Sequence, residues 1–300
     1  TIFVQIIFER IMQATGNAIY NMVMQGAGAI INIILDPIFI FGLFGLPKMG
    51  VTGAAIATVI GQFCAMLIGY LITKVKIKDL EVKFSNFSFS SSILKKIYTD
   101  GFPAILMQSV LSFMTVFMNM ILAPFSDIAI SVFSVYYKLQ NFLNMAVLGI
   151  TNALIPIIAY NYGAKRFDRV KKSIQFSLVL SIVIMAIGML VFRIFARPLM
   201  ALFSATDEMY AIGSPALQII SLSFIFAGIN VVLCSAFQAL NHANTSLFIT
   251  LARQLVFLLP LTYFLMHQFD INTGWYAFVL TEGVCAIFAC IYYRKLKQSI

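Results

Sequence analysis

The stretch IYNMVMQGAGAIINIILDPIFIFGLFG, residues 19–45, runs for 27 residues with one charged side chain, Asp36. A helix needs about 20 apolar residues to cross the hydrocarbon layer, so this segment reads as a membrane span that contains a carboxylate. Working outward from Ile19–Gly45, seven more windows of this kind follow: Gly50–Thr73, Ile97–Pro124, Ile128–Tyr160, Ser173–Ile194, Ala211–Leu240, Thr245–Met266 and Gly274–Tyr293. None alternates with period two, and lipid tolerates no unpaired backbone groups, so barrel strands are excluded. The expected fold class is all-α, a polytopic membrane protein of eight complete transmembrane helices, with Thr1 to Gln13 reading as the end of a ninth. The composition agrees: 61% of the 300 residues are hydrophobic and 10% charged, more apolar surface than a water-soluble domain of this length buries, so the lipid bilayer is its solvent.

A net charge of +9 raises nucleic acid as a partner until the basic residues are placed. Lys74, Lys76, Lys78, Lys83, Lys95 and Lys96 fill one connection; Lys165, Arg166, Arg169, Lys171 and Lys172 fill another two spans later; Arg294, Lys295 and Lys297 form the tail. These share one side of an alternating topology, whereas the other side holds Lys48, Arg193 and Arg197. The positive-inside rule makes the rich side cytoplasmic, with the C-terminus there, in a plasma or inner membrane. The bias accounts for the charge without nucleic acid. Cys64, Cys234, Cys285 and Cys290 fall within spans without paired spacing and read as small apolar packing residues.

The chain also resembles itself. Gln13-Ala14-Thr15-Gly16-Asn17 precedes a long span, as does Gln238-Ala239-Leu240-Asn241-His242; Pro37 and Pro260 each interrupt the helix that follows; Gly50-Val51-Thr52-Gly53 and Gly274-Trp275-Tyr276-Ala277 each open the next. The offset stays near about 225 residues, the mark of a transporter built from related halves. That spacing implies two six-helix lobes facing one another across a cleft, with roughly 130 residues expected before Thr1. Residues 1–73 are then the remainder of the first lobe (the end of helix 4, helices 5 and 6), 74–96 a cytoplasmic connector, and 97–300 the second lobe, helices 7 to 12.

An ionisable group within a span is costly unless it faces the bundle interior or water. Asp36 shares a helical face with Asn32, Gly28 and Gln25, and Pro37 leaves the Ile33 carbonyl without its helical donor. A carboxylate, an amide oxygen and a freed carbonyl can ligate a small cation, Na+ included, and burial favours the protonated form of a carboxyl, which suits it to carrying H+. The alternative is an aspartate that joins helices by bonding a neighbour's hydroxyl. In the span 128–160, Tyr137, Lys138, Gln140, Asn141 and Asn144 form a second polar cluster, open between a substrate cavity and interhelical hydrogen bonding with Lys138 extended along its stem. Glu282 lies near the middle of the last span with no proline or amide accompanying it, which leaves a structural hydrogen bond open beside a proton site, and Arg253 with Gln254 is expected to bond backbone carbonyls at the mouth of the cleft. The 15 Met and 29 Phe suit either a cavity for varied apolar ligands or a lipid-facing surface.

Asn32-Ile33-Ile34-Leu35-Asp36-Pro37-Ile38-Phe39-Ile40-Phe41-Gly42, followed by Gly50-Val51-Thr52-Gly53-Ala54-Ala55-Ile56-Ala57-Thr58, resembles helices 5 and 6 of the MATE (multidrug and toxic compound extrusion) family, in the style of its DinF-like bacterial branch. Gly101-Phe102-Pro103 and Pro156-Ile157-Ile158-Ala159-Tyr160-Asn161-Tyr162-Gly163-Ala164-Lys165 extend the likeness. The resemblance implies a twelve-helix, two-lobe exporter, a monomer without a cofactor, that expels cationic or amphipathic small molecules against H+ or Na+ by alternating access. It implies that Asp36, with Asn32 and Thr58 at neighbouring matching positions, is the cation site, and that Pro37 lets helix 5 bend. It also implies an acidic partner in helix 1, within the residues expected before Thr1. Many members of that family carry an acidic residue in helix 8 at about the position of Gln140, and neutral Gln140 cannot titrate.

Other classes fare less well. A lipid-linked oligosaccharide flippase needs several cationic side chains for pyrophosphate, and only Lys138 and Arg253 are available. An enzyme needs a nucleophile with a base, or a metal set; His242 and His267 sit apart at helix ends, and no such motif is present. A passive membrane scaffold leaves Asn32, Asp36 and Pro37 in one helix unexplained.

Overall fold

The computed structural model describes residues 1–77 and 89–299. They form two compact units, Thr1–Phe89 and Ser90–Ile300.

Unit 1 contains α1 (Ile2–Ala14), α2 (Ala18–Phe41) and α3 (Val51–Lys76). The buried residues of α3 are Gly53, Ala57, Gly61, Ala65, Gly69 and Thr73, one in every four. Residues four apart share a helical face, and small side chains there let backbones approach, which joins helices where lipid supplies no hydrophobic drive. The contact is close: a Cβ on Gly28 would lie 2.8 Å from the Ala65 Cβ, and one on Gly53 would lie 2.6 Å from the Phe39 carbonyl oxygen. Further along the stripe, Gly69 faces Met24 and Phe8, so α1 seats on the same surface.

Two expectations for α2 need correction. The helix runs unbroken through Pro37, which therefore does not interrupt it. Proline removes a single N–H, and the ladder resumes at once, with the Gly42 N–H donating to the Ile38 carbonyl at 3.1 Å. The span then stops at Phe41 rather than Gly45, because Gly42 turns left-handed at φ +74°. A side chain there would meet the Leu46 carbonyl and the Lys48 nitrogen at 2.7 Å, so only glycine fits.

Unit 2 runs through α4 (Ser91–Leu122), α5 (Asp127–Gly163), α6 (Phe167–Ile194), α7 (Ala196–Ala201), α8 (Asp207–Ile220), α9 (Phe224–Ala239), α10 (Ala243–Leu251), α11 (Leu258–Gln268), α12 (Ile271–Gly274) and α13 (Tyr276–Ser299). Ser90, Ser126 and Thr206 cap α4, α5 and α8, each side-chain oxygen accepting a first-turn N–H. The expected span 211–240 starts earlier, at Asp207, and passes from α8 to α9 through a 3-10 turn at Ser221–Ser223. This pair is the centre of the unit: 61% of its most apolar window is buried, against 22% to 44% for the others in the unit. Within the pair Phe224 and Phe237, and around it Phe133, Tyr136 and Trp275, are sealed from solvent.

Among the described residues eight helical stretches are long and apolar enough to cross a membrane, three of them built from consecutive helices (α8 with α9, α10 with α11, α12 with α13), and there is no strand. Large apolar side chains such as Ile33, Phe176, Ile187 and Phe264 stand exposed along them, as a lipid-facing surface requires. Of the connector expected at 74–96, Lys74 and Lys76 belong to the last turn of α3 and 91–96 to the start of α4. Residues 78–88, with Lys78 and Lys83, lie outside the described residues.

Candidate cation site and polar cavity

In unit 1 the small-residue stripe of α3 determines what lies beside Asp36. Thr58 follows Ala57 of that stripe, and the close approach brings it to α2. The Asn32 amide donates to the Asp36 carboxylate at 3.3 Å and to the Thr58 hydroxyl oxygen at 3.5 Å. Thr58 gives its own proton to the Ala54 carbonyl at 2.9 Å. With the amide and hydroxyl protons directed this way, the Asn32 carbonyl oxygen, a lone pair of Thr58 and the Asp36 carboxylate are left as acceptors, an oxygen set suited to a proton or a hard cation. Asp36 and Asn32 are half-buried and Thr58 is exposed. Among the described residues no cationic side chain pairs with Asp36.

A second carboxylate in unit 1 was not anticipated. Glu9 of α1 accepts from Gln25 at 2.6 Å and from Gln13 at 3.1 Å, while Gln5 donates to Gln25 at 2.8 Å. The signal was present, since Gln5, Glu9 and Gln13 stand four apart on one face.

In unit 2, Tyr137, Gln140, Asn141 and Asn144 line a cavity of about 180 Å³ together with Tyr136, Arg253, Gln254 and Glu282. Lys138 does not join them. Its ammonium lies 5.9 Å from the centre of the Phe203 ring on another face of α5, because consecutive helical positions point about 100° apart.

Arg253 is a correction. It bonds a carboxylate rather than backbone carbonyls, with Nη1 3.3 Å from Glu282 Oε2. Nor does Glu282 lack an amide: Asn230 of α9 donates to the same oxygen at 2.7 Å and to the Glu282 carbonyl at 3.1 Å. These partners stand 29 and 52 residues away in sequence, beyond the reach of periodicity. Local backbone aims the arginine. In an α-helix the Pro260 ring would meet the Val256 carbonyl, and the segment Ala252–Phe257 before it takes the wider π-helical turn, which carries Arg253 and Gln254.

The family model described as MatE matches residues 103–264, more than half of the chain. Over 294 residues the chain is 26% identical to the multidrug export protein MepA of Staphylococcus haemolyticus, and over 303 residues 25% identical to MepA of Staphylococcus aureus. Each alignment covers 98% of this chain and 64% of the relative, so the chain spans about two thirds of their length, or slightly less. Among solved structures, an outward-facing multidrug resistance MATE family transporter superposes with a TM-score of 0.89 at 23% identity, covering 98% of this chain and 66% of that one. A MOP superfamily transporter from Pyrococcus furiosus gives 0.88 at 22% identity, with coverage of 98% and 66%. At these identities the structures establish a shared fold.

Proposed function

Because this chain belongs to the MATE family, we propose that the protein exports amphipathic small molecules, cationic ones included, in exchange for H+ or Na+. The observation that carries the reading is Asp36: a carboxylate in a membrane-spanning helix, bonded by the Asn32 amide that also reaches the Thr58 hydroxyl, and unpaired with any cation among the described residues. A charge in that setting is expensive to maintain unless it binds something. In the proposed cycle Asp36 captures the coupling ion, and α2, weakened at Ile33 by Pro37, bends to shift the population between outward and inward openings. The names of the MepA relatives support multidrug export as the class of activity. The protein acts as a monomer, with its C-terminus in the cytoplasm.

The flippase reading loses its support in the cavity. Arg253 is held by Glu282 and Lys138 faces elsewhere, which leaves no cluster of free cations there for a pyrophosphate among the described residues. The test is reconstitution of the whole protein into proteoliposomes with an imposed pH or Na+ gradient, reading movement of a fluorescent cationic dye. Dye flux that follows neither gradient sinks the proposal.

A further inference from the structure

The ion pair in the unit 2 cavity is incomplete. Glu282 Oε2 receives both Arg253 and Asn230, while among the described residues Oε1 accepts nothing and the second guanidinium nitrogen, Nη2, donates to nothing. Both residues line the cavity and are mostly buried, 13% and 14% exposed. More unspent polar atoms surround them: Arg253 Nε, the Tyr136 hydroxyl, Gln254 Oε1 and Thr281 Oγ1 are buried without partners among the described residues, and the last three also belong to residues that line the space. Buried polar groups are ordinarily paired, and this many orphans in one cavity mark a place where a ligand or ordered water completes them. The lining is also aromatic, with Tyr136 and Phe278 packed edge to face at 5.6 Å.

Charge and size narrow the ligand. The charged lining residues are one guanidinium and one carboxylate, so the cavity offers no Coulombic preference for a cation. It presents one donor beside one acceptor of opposite sign. Its volume of about 180 Å³ is near that of a cavity known to hold a single benzene ring, so one ring fits. We infer that this cavity takes a single-ring compound, or one ring of a larger one, of zero net charge, either zwitterionic or carrying a hydrogen-bond donor beside an acceptor, and that Arg253 turns monocations away. The ligand's acceptor meets Arg253 Nη2, its donor meets Glu282 Oε1, and its ring lies against Tyr136 and Phe278. The physiological role of the cavity rests on the export reading above; its binding preference does not.

The experiment is equilibrium binding to the purified full chain in detergent micelles, by calorimetry, of four compounds with one skeleton: phenylalanine as zwitterion, 3-phenylpropionamide as neutral amide, phenethylamine as cation and 3-phenylpropionate as anion. Phenylalanine and the amide bind about tenfold more tightly than either singly charged compound. Arg253→Met reverses this in favour of phenethylamine, and Glu282→Gln in favour of phenylpropionate. Phenethylamine binding as tightly as phenylalanine, or none of the four binding, overturns the inference. Should Arg253→Met fail to fold, the double variant Arg253→Met with Glu282→Met is expected to lose charge discrimination altogether, and retention of the original order there overturns the inference equally. A flux assay that fails while the binding order holds removes the export reading alone.

Discussion

A Cβ placed on Gly61 would lie 3.1 Å from the Cβ of Asn32 and 2.9 Å from the Gly28 carbonyl oxygen, so the helix contact that sets the candidate cation site has no space for a methyl group. Gly61 sits at the middle of the α3 stripe, one turn beyond Ala57, and Thr58 reaches Asn32 only because this crossing is tight.

Gly61→Ala is therefore expected to push α3 from α2 at a cost of about 1–3 kcal/mol, and Gly61→Val to cost more. Thermal unfolding in micelles, with the variants ranked Gly, Ala, Val, checks it. An unshifted midpoint for Gly61→Val means that the crossing is looser than described.

Asp36→Asn keeps the shape of the side chain and a partner for Asn32 while removing the charge. Export driven by an ion gradient should be lost, with stability changed by less than about 1 kcal/mol. Undiminished coupled flux in proteoliposomes would place the coupling ion elsewhere.

The Asn230 and Arg253 contacts to Glu282 predict an ordering of stabilities. Asn230→Ala leaves an orphaned carboxylate lone pair, at about 1–3 kcal/mol. Arg253→Met strands a mostly buried charge, at about 3–5 kcal/mol, and adding Glu282→Met should restore most of that loss. Asn144→Ala, at a cavity position with no hydrogen bond among the described residues, should cost less than about 0.5 kcal/mol. Chemical denaturation of the four variants tests the order, and a double variant no better than Arg253→Met contradicts it.

Asp270 gives a local pH dependence outside the spans. Hydrogen bonds from the Thr273 side chain and its backbone N–H, the latter at 2.7 Å, hold its carboxyl below the usual carboxylate range. A lowered folded-state value means that the cap on α12 is fully in place above the ordinary aspartate range and is lost as pH falls through the depressed value. Hydrogen-exchange protection at 271–275, corrected for intrinsic rates, should drop in acid, and Asp270→Asn should abolish that dependence. A cap indifferent to acid in the unaltered chain would show that Asp270 does not hold it.

The sequence by itself determined the class of fold and part of the candidate cation site's arrangement. Apolar windows of span length leave helices as the only structure lipid accepts, and a spacing of four places Asn32 and Asp36 on one face whatever the tertiary arrangement. The α3 stripe at Gly53, Ala57, Gly61, Ala65 and Gly69 was equally legible, although its partner was not. Tertiary structure decided the rest. It joined Arg253, Glu282 and Asn230 across 29 and 52 residues and laid the Lys138 ammonium by the Phe203 ring. It let Pro37 pass within a continuous helix while Pro260 follows a π turn. The physical reason is that helical periodicity fixes the direction of a side chain around its own axis, whereas which neighbour fills that direction depends on how helices cross, and that is set by the small residues and packed rings of other segments.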